Sequence, residues 1–162
     1  MAVAILALLI AVPLLGALTG LRTMTPIAVL CWFAYLGHLP VQDTWAFWSA
    51  KLVTVIIFTV LAAGELIGDK LPNTPDRISA LPLIARVCFG GLVGALAATG
   101  LHASAVEGII LGSLSALGGA FVGFFVRRLL VEEKNNPDMV VAICEDAMAI
   151  VLSIVAMRII TA

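Results

Sequence analysis

Five long apolar runs divide this chain, and the polar residues between them fall in clusters rather than at regular intervals. The last four runs, about Trp48–Gly68, Leu81–Leu101, Val106–Val126 and Met139–Ile160, each have the length of a membrane-crossing helix, roughly 20 residues. The first runs from Val3 to Tyr35 with a single charge, Arg22, and is too long for one crossing, so something must interrupt it. Its stretch Gly16-Ala17-Leu18-Thr19-Gly20-Leu21-Arg22-Thr23-Met24-Thr25-Pro26 combines glycines, threonines and a proline, the residues at which membrane helices break, kink or turn back. A break is predicted near Gly20 to Thr25. It makes residues 3 to 20 a separate span or a re-entrant limb and gives six segments, whereas an unbroken tilted helix gives five. If Tyr35 marks one interface, Arg22 lies about 20 Å from it, toward the opposite side.

The later runs carry small residues at four-residue spacing: Gly90, Gly94 and Ala98 in one, Gly108, Gly112, Ala116 and Ala120 in the next. Such stripes let helices approach closely, within one protomer or in a homo-oligomer. Every Trp and the only Tyr gather around the short polar stretch between Tyr35 and Trp45, which reads as an interfacial aromatic belt. Lys70, Arg77 and Arg86 fall in or beside one loop and Arg127, Arg128 and Lys134 in another, so these loops are expected in the cytoplasm. Asn135-Asn136-Pro137-Asp138 opens the last helix, with Asp138 as its expected cap.

Composition narrows the class. Of 162 residues 62% are hydrophobic and 12% charged, far below the roughly 25% charged residues of soluble domains, so the chain is an integral membrane protein. Continuous apolar runs without period-two alternation exclude a membrane β-barrel and leave an all-α, polytopic helical bundle forming a single domain over residues 1–162. A net charge of -1 without a basic patch gives nucleic acid no purchase. Cys31, Cys88 and Cys144 are scattered among apolar residues and suggest neither disulfide nor zinc site. The N-terminus lacks the basic residues of a cleaved signal peptide.

The candidate chemistry lies in Gly64-Glu65-Leu66-Ile67-Gly68-Asp69-Lys70-Leu71-Pro72, where an apolar run carries one acid and a second a helical turn later. Glu65 and Asp69 would project from one helix face, and Pro72 would end the helix. Ionisable residues inside a span face a bundle interior or a watery cavity. Glu145 and Asp146 lie one to two turns inside the last span and, on the expected topology, at the depth of Glu65 and Asp69. They are about 100° apart, so only one of them can point straight at the others. Arg22 falls in the same layer and Arg86 in it or just outside. Thr19, Thr23, Thr25 and the exposed backbone of the broken helix would close the site.

The run Glu65-Leu66-Ile67-Gly68-Asp69-Lys70-Leu71-Pro72, with Gly20-Leu21-Arg22 and Pro26 upstream and Glu145-Asp146 in a final apolar helix, resembles the bacterial membrane-protein family catalogued as domain of unknown function 4126. The likeness covers most of the chain and implies a small, multi-span inner-membrane protein without implying an activity. The residues themselves point to a transporter or channel for a cation or small solute, bound by Arg22, Glu65, Asp69, Glu145, Asp146, Thr23 and Thr25, with no cofactor called for. An intramembrane enzyme using paired carboxylates and a non-catalytic scaffold subunit stand as alternatives. An inverted repeat is also open, because Gly16-Ala17-Leu18-Thr19-Gly20 resembles Gly119-Ala120-Phe121-Val122-Gly123 and Ala62-Ala63-Gly64-Glu65 resembles Ala142-Ile143-Cys144-Glu145.

Overall fold

A computed structural model describes residues 2–68, 79–133 and 137–162. The described residues form helices α1 (Ala2–Leu21), α2 (Met24–Tyr35), α3 (Leu52–Gly68), α4 (Ala80–Gly100), α5 (Ala105–Arg128) and α6 (Asp138–Thr161). A short 3-10 turn (Phe47–Ala50) precedes α3, and a turn of π-helix (Leu129–Glu133) continues α5.

The first apolar run is broken where expected, at Arg22 and Thr23. Pro26 supplies the reason. Were the helix continuous, its ring would press on the carbonyl of residue 22 and its missing N–H would leave that carbonyl unbonded. Placed instead in the first turn of α2, Pro26 lacks only an N–H that would have no partner there.

Side-chain pairings fix the helix directions. Thr23 and Met24 meet Glu65 while Trp32 Nε1 donates to Thr59 Oγ1 at 3.1 Å, so α2 and α3 are antiparallel. Gly90 faces Gly112 and Ala116, and Gly94 faces Gly108, which makes α4 and α5 antiparallel as well. Gly16 lies against Gly112 and Gly20 against Ala116 and Ala120, so α1 runs parallel to α5. Arg22 pairs with Asp146 and the Arg158 guanidinium sits over the Phe33 ring, so α2 and α6 are parallel. Successive helices therefore alternate in direction. One end of the bundle gathers the end of α5 and the starts of α4 and α6; the other carries the Trp-rich loop, which buries Leu39 against Gly100.

The α1–α2 turn does not reach the charged end. Arg86 and Asp146, which meet it, lie six and eight residues inside the first residues of α4 and α6, a depth of about 9–12 Å. From there the twelve residues of α2 rise about 18 Å, enough to complete a hydrocarbon layer of about 30 Å but not to cross it alone. Residues Ala80–Gly100, Ala105–Val131 and Asp138–Thr161 form helices long and apolar enough to span a membrane, and Ile5–Leu21, Met24–Tyr35 and Leu52–Gly68 are shorter apolar helices. Ile56 and Val60 of α3, Leu114 and Phe125 of α5 and Val151 of α6 point outward and expose apolar surface. This is a polytopic helical membrane bundle with a chain reversal inside it.

The small-residue stripes are used within the chain. A Cβ on Gly16 would lie 2.6 Å from the Gly112 carbonyl oxygen, and one on Gly90 would lie 2.8 Å from the same oxygen. Helices α1, α4 and α5 thus meet backbone to backbone, which removes the stripes as grounds for a homo-oligomer. The two similar glycine motifs face each other, Gly119 against Ala17 and Gly20 against Ala116 and Ala120. Because α1 and α5 are parallel, these motifs are not related by inversion.

Gly20→Ala would place a methyl 2.6 Å from the Ala120 backbone nitrogen and is expected to destabilise the protein by about 1–3 kcal/mol. Around Gly118 nothing lies within 4 Å of such a methyl, so Gly118→Ala is expected to gain up to about 1 kcal/mol from helix propensity. Thermal unfolding of the two variants in detergent checks the contrast. Equal melting temperatures would contradict the packing described.

Candidate functional site

A chain reversal in hydrocarbon leaves the last carbonyls of one helix and the first amides of the next without water to satisfy them. Here two side chains from other helices do so. The Arg86 guanidinium, buried on α4, donates through Nη1 to the carbonyls of Gly20 at 2.9 Å and Leu21 at 2.8 Å. The Glu65 carboxylate, near the end of α3, accepts from the backbone N–H of Thr23 through Oε1 and of Met24 through Oε2, each at 2.7 Å. Charge and dipole agree at both ends: a cation meets the negative C-terminus of α1 and an anion the positive N-terminus of α2. The Arg22 N–H keeps a helical bond to Leu18 at 2.8 Å, so the reversal is compressed into one peptide link.

Between these caps lies Arg22, fully buried. Its Nη2 is 2.6 Å from Asp146 Oδ1 and 4.0 Å from Glu145 Oε2. Both acids of α6 therefore reach one guanidinium despite their angular separation, the longer Glu145 side chain covering the greater distance. Glu145 is shared, its Oε2 lying 3.6 Å from Arg127 Nη1. Arg127 in turn grips Asp138 with two parallel bonds of 3.0 Å, Nε to Oδ1 and Nη2 to Oδ2. Buried charges are tolerated when they are paired, and alternation of sign along Asp138, Arg127, Glu145, Arg22 and Asp146 gives each charge a neighbour of opposite sign.

Of the residues expected in the layer, Arg22, Glu65, Glu145 and Asp146 come together, and Asp69 lies outside the described residues. Thr23 contributes its backbone N–H rather than its hydroxyl. Thr25 is buried, and its hydroxyl has no hydrogen-bond partner among the described residues. Thr19 turns its hydroxyl to the Leu15 carbonyl of its own helix at 2.8 Å and does not close the site. The backbone of the break is capped rather than open, contrary to the expectation of exposed groups. Asp138 is not a cap either: Pro137 holds the N-cap position and the Asp138 carboxylate serves Arg127. Sequence reasoning missed Arg127. Asp138 and Glu145 are seven residues apart, two turns on one face of α6, and that spacing beside a basic helix end was the signal available.

Among the described residues no three His, Cys, Asp or Glu side chains are grouped so as to hold a metal. A groove of about 620 Å³ on the flank of α4 and α5, lined by Trp45, Cys88, Gly91, Leu92 and Ile109 among others, contains none of the charged residues. Its lining is almost wholly apolar. The buried charged residues gather instead in the layer at the chain reversal.

The chain belongs to the family described as Domain of unknown function (DUF4126), whose model matches residues 3–159. No curated protein and no solved structure matches it.

Asp146→Asn removes the nearest carboxylate of the fully buried Arg22 and leaves Glu145 at 4.0 Å, so it is expected to destabilise the fold by about 3 kcal/mol, the lower end of the cost of breaking a buried pair. Glu65→Gln keeps one acceptor oxygen for the two α2 amides and is expected to cost less, about 1–3 kcal/mol. Denaturant or thermal unfolding in detergent should therefore rank wild type, Glu65→Gln and Asp146→Asn in that order. The reverse order of the two variants would contradict the assigned partners.

Proposed function

We propose that this protein is a small transporter or channel that binds a cation or small solute at the α1–α2 reversal. One observation carries the reading: two helix ends and the side chains Arg22, Glu65, Arg86, Glu145 and Asp146 converge inside the helical bundle. Interrupted helices at membrane depth supply transporters with backbone groups and dipoles for solute binding. Ionisable residues there are retained where a solute or proton must pass, since a bundle needing only stability does better with apolar packing. In the arrangement described, side chains of the protein occupy the positions that a solute's charged groups would take. Glu65 holds the amides of α2, and Asp146 and Glu145 hold Arg22. A solute enters by exchanging partners with them.

The alternative with specific support is a non-catalytic scaffold, favoured because Glu65, Glu145 and Asp146 each already have a donor or cation. Paired carboxylates acting as an intramembrane enzyme have less support, because these acids face arginines and backbone amides rather than each other. The Lys and Arg bias of the loops favours placing the charged end of the bundle in the cytoplasm, and the family resemblance favours a bacterial inner membrane. A cysteine at Gln42 that reacts with an impermeant thiol reagent in intact cells, beside one at Asn135 that does not, checks that orientation.

Thermal unfolding of the purified protein against a panel of cations and small metabolites tests the function. A ligand at about 100 times its dissociation constant stabilises by about 2.7 kcal/mol, a readily measured shift. We expect such a ligand to raise the melting temperature of the wild type but not of Glu65→Gln, and to cross the bilayer of proteoliposomes only when wild-type protein is present. Stabilisation by no compound, or equal stabilisation of both proteins, would favour the scaffold.

A further inference from the structure

The buried layer is joined to the surface by one continuous line of alternating charges. Side-chain exposure falls from 57% at Asp138 to 21% at Arg127, 9% at Glu145 and 0% at Arg22. The successive contacts are 3.0, 3.6 and 4.0 Å, and the line closes on Asp146 at 2.6 Å. Among the described residues, Arg127 touches both an exposed acid and a buried one. Its two-point grip on Asp138 meets the geometry of a strong, charge-assisted pair, whereas its 3.6 Å approach to Glu145 is too long for a hydrogen bond. Of these two acids, the guanidinium is anchored on the outer one and leans on the inner one.

Two features let it move. Arg127 sits at the last turn of the α-helical part of α5, directly before the π-helical turn Leu129–Glu133. Such turns interrupt the regular i to i−4 ladder and occur often at functional sites. Its anchor, Asp138, is the first residue of α6 and more than half exposed, so water competes for that carboxylate.

We infer that Arg127 is the gating residue of the layer: while it bridges Asp138 and Glu145 it shuts Arg22 and Asp146 off from the charged end, and release from Asp138 opens the way in. It acts through Glu145 and is a positioning residue rather than a ligand of the solute. The inference rests on the proposed solute site for its purpose, but not for its test, which reads access alone.

The experiment uses detergent-solubilised full-length protein in which Cys31, Cys88 and Cys144 are replaced by Ala and a reporter is introduced as Thr23→Cys, a position buried at the chain reversal. The rate of modification by a small cationic methanethiosulfonate reagent is measured well below the melting temperature. With Arg127 intact the rate should be slow. Arg127→Ala should raise it about tenfold, the change in open population that follows from loss of about 1.4 kcal/mol. Asp138→Asn should raise it as well by weakening the hold on the guanidinium at the outer acid, and Arg127→Lys should fall between, since an ammonium keeps the charge without the two-point grip. An anionic reagent should gain less than the cationic one from Arg127→Ala, because the change leaves Asp138 and Glu145 facing the entrance.

Slow, unchanged rates in folded Arg127→Ala or Asp138→Asn protein would overturn the inference. So would acceleration seen only in variants that have lost cooperative melting, and if Arg127→Ala does not fold, Asp138→Asn decides alone. A faster rate in a protein that no solute stabilises would keep the gate and remove the solute site. Solute stabilisation with unchanged rates would do the opposite.

Discussion

Hydrocarbon offers a backbone no hydrogen bonds, and the rest of this structure depends on how one chain reversal meets that constraint. Helix α1 stops at Leu21 and α2 starts at Met24, with the turn about 10 Å below the end of the bundle. The groups left over must be satisfied by side chains that come to them. Arg86 covers the carbonyls and Glu65 the amides, and each has the charge that the adjoining helix dipole favours. Their presence binds α3 and α4 to the reversal. Arg86 ties α4 to the end of α1, and both helices approach α5 closely through glycine, Gly16 and Gly90 meeting the same Gly112 carbonyl.

Arg22 turns a backbone problem into an electrostatic one. A guanidinium at full burial needs a counter-charge, which α6 supplies as Asp146 at close range and Glu145 at the limit of an ion pair. Two adjacent acids in a poorly screened interior would repel, and Arg127 offsets the second of them. Each charge brings in the next until Asp138 meets solvent. The same line that makes burial tolerable is also, among the described residues, a polar path from the end of the bundle to its interior.

Much of this was legible in the sequence. Pro26 and the length of the first apolar run placed the break within a few residues, and the topology expected from the loop charges put Glu65, Glu145 and Asp146 at one depth. Those features follow from run length, loop charge and the fixed rise of a helix. Which partner each charge takes did not follow. Glu65 was expected among cations and instead caps α2, because the amides that need it appear only once the helix is seen to restart at Met24. Asp138 looked like a cap and is the anchor of Arg127, a pairing between helices that local pattern does not encode. The glycine stripes were recognised as contact surfaces, but no one-dimensional pattern states whether the neighbour is the same chain or another.

The central claim is that the reversal is sealed by side chains rather than by water. Amide hydrogen exchange at Thr23 and Met24, read by NMR on the wild-type protein in micelles, tests it most directly. Hydrogen bonds to Glu65 in a closed layer should protect both amides to a degree comparable with the middle of α5. Exchange at the rate of the exposed loop around Gln42 would contradict the account, since it would show water where the carboxylate is placed.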